Sequence, residues 1–571
     1  MLEFDRFYTY AEVEAFCRDL AKRYPALCRL SGFSRTAQGR DVMLLTITDF
    51  DSGDPSERPT YLIHGGIHAH EPASTHGPLY TAQRLLEDGS SADPFVVPDQ
   101  PPHQLPLLQR VAFLIIPRLC PDGTEWCVAT TARIRSRTET ANKAANTIYP
   151  SDIDGDGMIL TMRQQHPDGR FVCDPQEPRL LVNRRPSSPG PYYRVFPEGL
   201  IHDWDGSDGV RMAGLDSFYP GGKELHDGRS FDFNRNWSYD WRDESVQSGA
   251  GDFPFSEPEM HALAKLLFGT PRLFGMIGYH CGNASIIRGP SWGRREEMDL
   301  GDDLMMDEIA QIASQETGFR AVTMTEVTPA NPRGIGKRGH SHGFMYHHLG
   351  IYGYEMELGC LVAAEGLEHG DPLTWNGQDD ADRAYRELLQ WWDVRGQKDT
   401  VFEPWRPYRH PQLGEVELGG LLMTAIDNPL ITELQPTCEA CYRFTVRHAS
   451  RHPWVAAEGT EVATFGDVHR IRTRVANRGA LATSITNLGA ALPRLPRPRI
   501  RLVPAEGVEL LSEQGLVKLD HLDATVGSRV VEWFVRADAD AGAGTALGTL
   551  VVDGGTGGEH RYAVEARGNH A

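Results

Sequence analysis

"PTYLIHGGIHAHEPAS", residues 59–74, is the stretch from which the rest of the chain is read. An apolar run ends at His64, a Gly pair follows, and His68, His70 and Glu71 come next. The run reads as a short buried strand and the glycines as a turn, with a helix following from about Glu71 to Leu86. His68 and Glu71 are three apart, and on a turn entering a helix such residues share a face. Imidazole nitrogen and carboxylate oxygen both suit Zn²⁺. The rival pair, His64 with His68, needs a helix through Gly65 and Gly66, which two glycines disfavour. A chain with 22 histidines offers such a spacing by chance. Alone, the cluster reads equally well as a polar loop after a strand.

On both sides of this stretch, helical and strand patterns alternate. Residues 10–24 read as an amphipathic helix stopped by Pro25, and 28–49 as a hairpin. "RVAFLIIPRL" (110–119), "RLFGMIGYH" (272–280) and "LGIYGYEMELG" (349–359) are continuous apolar runs of the kind buried on both sheet faces. Helical patterns fall at 256–267, where Ser256 and Glu259 fit a capping box, and at 302–315 and 380–395. This alternation predicts an α/β fold with a mixed, mostly parallel central sheet flanked by helices. It spans 1–400, with a loop-rich insertion at about 141–230. Residues 401–460, rich in Pro and Gly at their start, read as a connecting region. Residues 461–571 carry short strands with Gly, Asn and Asp turns, the pattern of a small all-β sandwich.

Composition narrows the classes. Lys and Arg total 57 against 78 Asp and Glu, a net charge of −21, which argues against a nucleic-acid partner. No apolar run reaches the roughly 18 residues of a membrane span, so no membrane partner is expected. The start, "MLEFDRFYTYAEVEAFCRDL", lacks a basic segment followed by an apolar one, which predicts a cytoplasmic protein without a secretory signal. Nine scattered cysteines do not form a disulfide framework, and Cys438 and Cys441 make a lone CxxC.

A catalytic zinc needs a third protein ligand, and His280, closing an apolar strand, supplies a candidate. Zinc-activated water needs a base, and "YEMELG" places Glu355 and Glu357 on one strand face. Acids in an apolar strand are costly without a partner or a role, unless one faces solvent from an edge. "FDFNRNWSYDW" sets Asn234 beside Arg235, whose planar fork suits a carboxylate. "TTARIRSRT" puts Arg133, Arg135 and Arg137 on one face if extended. In the insertion, Asp152, Asp154 and Asp156 with Gly157 match the first half of a Ca²⁺ loop. Position 12 is Arg163 rather than a bidentate Glu, so an Asp-Gly turn competes with Ca²⁺ binding.

The order of these motifs is informative: GxHxxE, PDG followed by arginines, NRNW, a strand ending in His, then a strand closing Glu-Leu. It resembles the zinc metallocarboxypeptidase family, the carboxypeptidase A-like enzymes, over about residues 5–395, with "FSRTAQGRDVMLLTI" similar to that family's start. The resemblance implies that His68, Glu71 and His280 hold one Zn²⁺. It makes Glu357 the general base and proton shuttle, preferred over Glu355 for its place before Leu-Gly. Arg235 with Asn234 would clamp the C-terminal carboxylate of a peptide substrate. Arg135, twelve residues after the Gly of PDG, would polarise the scissile carbonyl.

Two departures accompany the resemblance. The stretch before the catalytic Glu lacks the family's mobile Tyr. Tyr346 fits a structural position, and His340 and His342 lie nearby. The insertion is also far longer than in digestive members. The tail resembles accessory sandwiches that follow such domains. The leading expectation is a metallocarboxypeptidase. The alternatives are a zinc amidase on a γ-linked cell-wall peptide or an N-acyl amino acid, and a non-catalytic binding protein on the same fold.

Overall fold

Five consecutive buried residues form the strand that carries the histidine cluster, Thr60–His64. In the computed structural model, the described residues are 1–91, 105–136, 143–212, 231–247, 249–290, 298–327, 337–363, 367, 378–396, 401–537 and 542–566. The central sheet comprises β1 (Cys28–Arg35), β2 (Asp41–Ile47), β3 (Thr60–His64), β4 (Ala112–Ile116), β5 (Leu273–His280), β6 (Ser285–Arg288), β7 (Arg320–Thr323) and β8 (Tyr352–Glu357). Their spatial order is β1-β2-β4-β3-β5-β8-β6-β7. The β4-β3-β5-β8 centre is parallel, as is β6-β7, and the other pairings are antiparallel. The three apolar runs are thus the buried inner strands, as their lack of alternation predicts.

The expected helices form close to their patterns, and a further one, at Ser341–Leu349, has no such pattern in the sequence. Helix α1 (Tyr10–Arg23) buries Val13, Cys17 and Leu20, and Thr9 with Glu12 forms its capping box. After the cluster, Pro72–Thr75 makes a tight turn before α2 (His76–Gly89) begins. The helix at Pro258–Phe268 is α3. It starts on Glu257 without a side-chain cap, so the Ser256–Glu259 capping box does not form. Instead the Ser256 hydroxyl donates to Glu257 and accepts from Asn236. Next come α4 (Leu300–Thr317) and α5 (Ser341–Leu349).

Residues 401–460 are not a connector. Phe402–His410 and Gly414–Leu421 pair antiparallel and join insertion strands Thr161–Gln165, Tyr193–Pro197, Phe171–Cys173 and Leu181–Asn183 in a six-stranded sheet. Glu417 lies opposite Arg163 and pairs with it at 2.7 Å. Helix α6 (Leu434–Ala449) then packs on α2 and α4. Cys438 and Cys441 are buried, unbridged residues on it. The described part of the insertion is therefore sheet as well as loop.

The sandwich begins at Val455, six residues before the expected boundary. Two four-stranded antiparallel sheets enclose Val455, Ile471, Ile500, Trp533, Leu550 and Val552. In Ser528–Arg536, Val531, Trp533 and Val535 point inward and alternate with exposed neighbours. Among the described residues no helix is long and apolar enough to cross a membrane.

Candidate metal centre

The site lies where β3, β5 and β8 end side by side. His64 is opposite Gly278, and His280 is opposite Glu357, so all three strands open into one crevice. The Gly pair turns the chain into it. Gly66 has φ +60°, and a side chain there would press on Arg118. A Cβ on Gly65 would overlap the Ser74 carbonyl. The turn aims His68 and Glu71 back over the strand ends.

There the ligand atoms converge. His68 Nδ1 is 2.8 Å from Glu71 Oε1, His280 Nδ1 is 3.2 Å from His68 Nδ1, and His280 Nδ1 is 3.4 Å from Glu71 Oε2. Tetrahedral ligands at ~2.0–2.1 Å from Zn²⁺ stand about 3.3 Å apart, so these side chains already describe one face of such a site. Burial opposes charge on Glu71, yet His68 and His280 hold its carboxyl well below the usual range. Burial likewise opposes protonation of His280, but Glu355 and Glu71 raise it to about 9.

The next layer ties the functional groups together. His68 turns Nε2 to Asp232 Oδ1 at 3.2 Å and Nδ1 to Glu71. The other Asp232 oxygen accepts from Arg135 Nε at 3.0 Å and lies 3.6 Å from Arg235. Burial opposes its charge, but Arg135, Arg235 and His68 keep the carboxyl well below its ordinary value. Arg135 also reaches within 3.3 Å of His70 and 3.6 Å of Glu71. Sequence reasoning did not single out Asp232, although an acid two residues before the Asn-Arg pair was its visible signal.

Both acids of "YEMELG" face inward, and neither sits on an edge strand. Glu357 is half-buried, and a Cβ on Gly282 would come within 2.7 Å of its Oε2. Burial, aided by Glu71 and Glu355 against His280, pushes its carboxyl up to about 7. That suits a group that takes and returns a proton. Glu355 is 2% exposed and accepts from Asn234 Nδ2 at 2.9 Å and from the Ser341 hydroxyl. Asn234 Oδ1 in turn accepts from Ser341 N at 3.1 Å. The Asn234 amide is engaged at both ends, which leaves Arg235 as the expected clamp's charged member.

Other expected residues lie elsewhere. Arg133 pairs with Asp427 at 2.6 Å, and Arg137 lies outside the described residues. Tyr346 is buried and donates to Asp302 at 2.9 Å, a structural position as expected. Asp152, Asp154 and Asp156 do cluster, and Arg406 lies against Asp154 and Asp156. Asp152 accepts from the N–H groups of Gly155 and Gly157, so the run forms Asp-Gly turns neutralised by an arginine. Arg163 stacks on Trp405 instead of facing the loop.

The zinc carboxypeptidase family model matches residues 13–158 and 204–369, more than half of the chain. The chain belongs to the zinc carboxypeptidase family. Residues 455–565 match a domain family of unknown function. Among curated proteins, the inactive metallocarboxypeptidase ecm14 of Talaromyces marneffei is 28% identical over 124 residues, 21% of this chain and 19% of that protein. Carboxypeptidase D of Mus musculus is 24% identical over 169 residues, 30% of this chain and 11% of that protein. These similarities therefore span about a fifth or less of the relatives' own length. Among solved structures, carboxypeptidase A of Helicoverpa armigera is 16% identical with a TM-score of 0.41, over 70% of this chain and 74% of that one.

Proposed function

We propose that the protein is an active zinc carboxypeptidase that removes the C-terminal residue of peptides bearing a free carboxylate. The observation that carries this reading is the convergence of two Nδ1 atoms and the Glu71 carboxylate at tetrahedral spacing, with Glu357 opposite His280 on the adjoining strand. His68, Glu71 and His280 would hold Zn²⁺, which when bound would supply a Lewis acid and lower the pKa of water toward 7. Glu357 removes the proton from the attacking water and hands it to the leaving amine. Arg135, beside Glu71, steadies the oxyanion of the scissile carbonyl. Arg235, braced by Asp232, pairs with the substrate's terminal carboxylate. Asp232 fixes the ring of His68 and the direction of both arginines.

The relative named inactive makes loss of turnover the competing reading. The presence of Glu357, Arg135 and Arg235 beside the three ligands favours activity. The test is a mixed library of peptides differing at the C-terminus, incubated with zinc-loaded protein and read by mass spectrometry. Loss of single C-terminal residues supports the peptidase reading. An intact library from zinc-replete protein refutes it.

A further inference from the structure

We propose that Asn428 is a positioning residue for the metal centre, holding the backbone on both sides of Glu71 from a part of the chain beyond residue 369, where the family match ends. The inference rests on the zinc reading above and assigns a further residue to that same site. Residues 65–71, which carry His68 and Glu71, lie in neither helix nor strand, so their shape depends on bonds from outside. Asn428 Nδ2 donates to the His70 carbonyl at 2.8 Å, and its Oδ1 accepts from Ala73 N at 3.0 Å. These two backbone groups flank Glu71, whose carboxylate accepts from Cys281 N at 3.0 Å. Nδ2 also donates to the Thr424 carbonyl at 2.7 Å, so both donors and the oxygen of the amide are engaged. Asn428 is 0% exposed, and water does not compete for these bonds.

The anchor is itself fixed. The Thr424 hydroxyl lies 3.0 and 2.9 Å from the carbonyls of Thr131 and Ala132, and Asp427 pairs with Arg133. That backbone leads to Arg135, whose carbonyl accepts from Ala69 N at 2.6 Å. Residues 423–428 thus join the loop that carries two metal-cluster residues to the approach of Arg135. They follow directly on Gly414–Leu421 of the six-stranded sheet, so that sheet reaches the site through them. Removing the amide takes a partner from the His70 carbonyl and the Ala73 N–H and frees the backbone of Glu71. Site residues have to be held within about 0.5 Å of their productive place, so zinc affinity, and not folding alone, depends on Asn428.

The experiment measures zinc affinity of the full chain by competition with a chelator, and the visible absorption of the cobalt-substituted protein, in wild type, Asn428→Ala and Asn477→Ala. Asn477 is the control, a buried asparagine of the sandwich whose amide likewise binds backbone, at Trp454 N and the Leu481 carbonyl. Asn428→Ala should bind zinc about tenfold or more weakly and show an altered cobalt spectrum. Asn477→Ala should melt lower than wild type with affinity and spectrum unchanged. Where Asn428→Ala does not fold, Asn428→Ser, whose shorter side chain cannot span both backbone groups, decides by the same two readings. Wild-type affinity and spectrum in a folded Asn428 variant, or an equal loss of affinity in Asn477→Ala, overturns the positioning role while the metal site stands. A wild type that binds no zinc removes the metal site itself, and the role of Asn428 with it.

Discussion

One carboxylate, Asp232, touches His68 and Arg135 and lies near Arg235, so a residue of the candidate metal cluster and two arginines share a partner. Asp232→Asn keeps the shape and removes the charge. Outer partners of metal ligands typically contribute 10–100-fold in affinity. Zinc affinity of Asp232→Asn should fall by about that factor in a competition titration with a chelator, and unchanged affinity would contradict the role. A second residue reports on stability. Glu198 is wholly buried and accepts from Ile153 N at 2.8 Å and Leu160 N at 2.9 Å. Burial raises its carboxyl to about 7 despite these bonds, with Asp154 and Asp156 adding to the rise. Its folded pKa exceeds the ordinary 4.5, so its contribution is fully present below about 4.5 and is lost as pH rises through 7. The melting temperature of the wild type should therefore decline more steeply between pH 5 and 8 than that of Glu198→Gln. Parallel declines would show that Glu198 titrates normally.

At the scale of elements, the turn between β3 and α2 is the most constrained piece of the site. Ala at Gly65 has to displace the Ser74 carbonyl, an overpacking that costs about 1–3 kcal/mol and moves His68 with it. Gly65→Ala should lower both the unfolding midpoint in urea and zinc occupancy. A variant with wild-type zinc content would show that the turn tolerates the side chain. The inner strands were legible in the sequence because long apolar runs without alternation have one home in an α/β sheet. The cluster of His68, Glu71 and His280 was legible because each residue closes such a run or follows its turn. The six-stranded sheet was not. Its insertion strands are three to five residues long, and Thr161–Gln165 joins Gly414–Leu421 more than 200 positions away, as with Arg163 and Glu417. Periodicity carries no information on such pairings. The partners of Glu355 escaped for the same reason, since Asn234 and Ser341 meet it only through the fold.

Across the whole molecule, the sandwich braces the α/β domain at the end of α5 and at Asp302. Thr486 donates to the Gly350 carbonyl at 2.8 Å and Arg494 to the Leu349 carbonyl at 3.2 Å, capping the end of α5. Buried Asp302 accepts from Asn487 N at 2.6 Å and Leu488 N at 3.0 Å. A chain ending at residue 454 loses these partners and leaves Asp302 with fewer donors, so it should melt several degrees lower than the full chain. Equal melting temperatures would make the sandwich a passenger. Kinetics at matched metal content decide whether the crevice unites a zinc site with a working base. Wild type and Glu357→Gln, each carrying about one zinc per chain, are compared in kcat/KM on a peptide with a free C-terminus. Loss of the general base should reduce the rate by about 10²–10⁴-fold with zinc binding retained. Equal rates, or a wild type that binds zinc and cleaves nothing, would contradict that union.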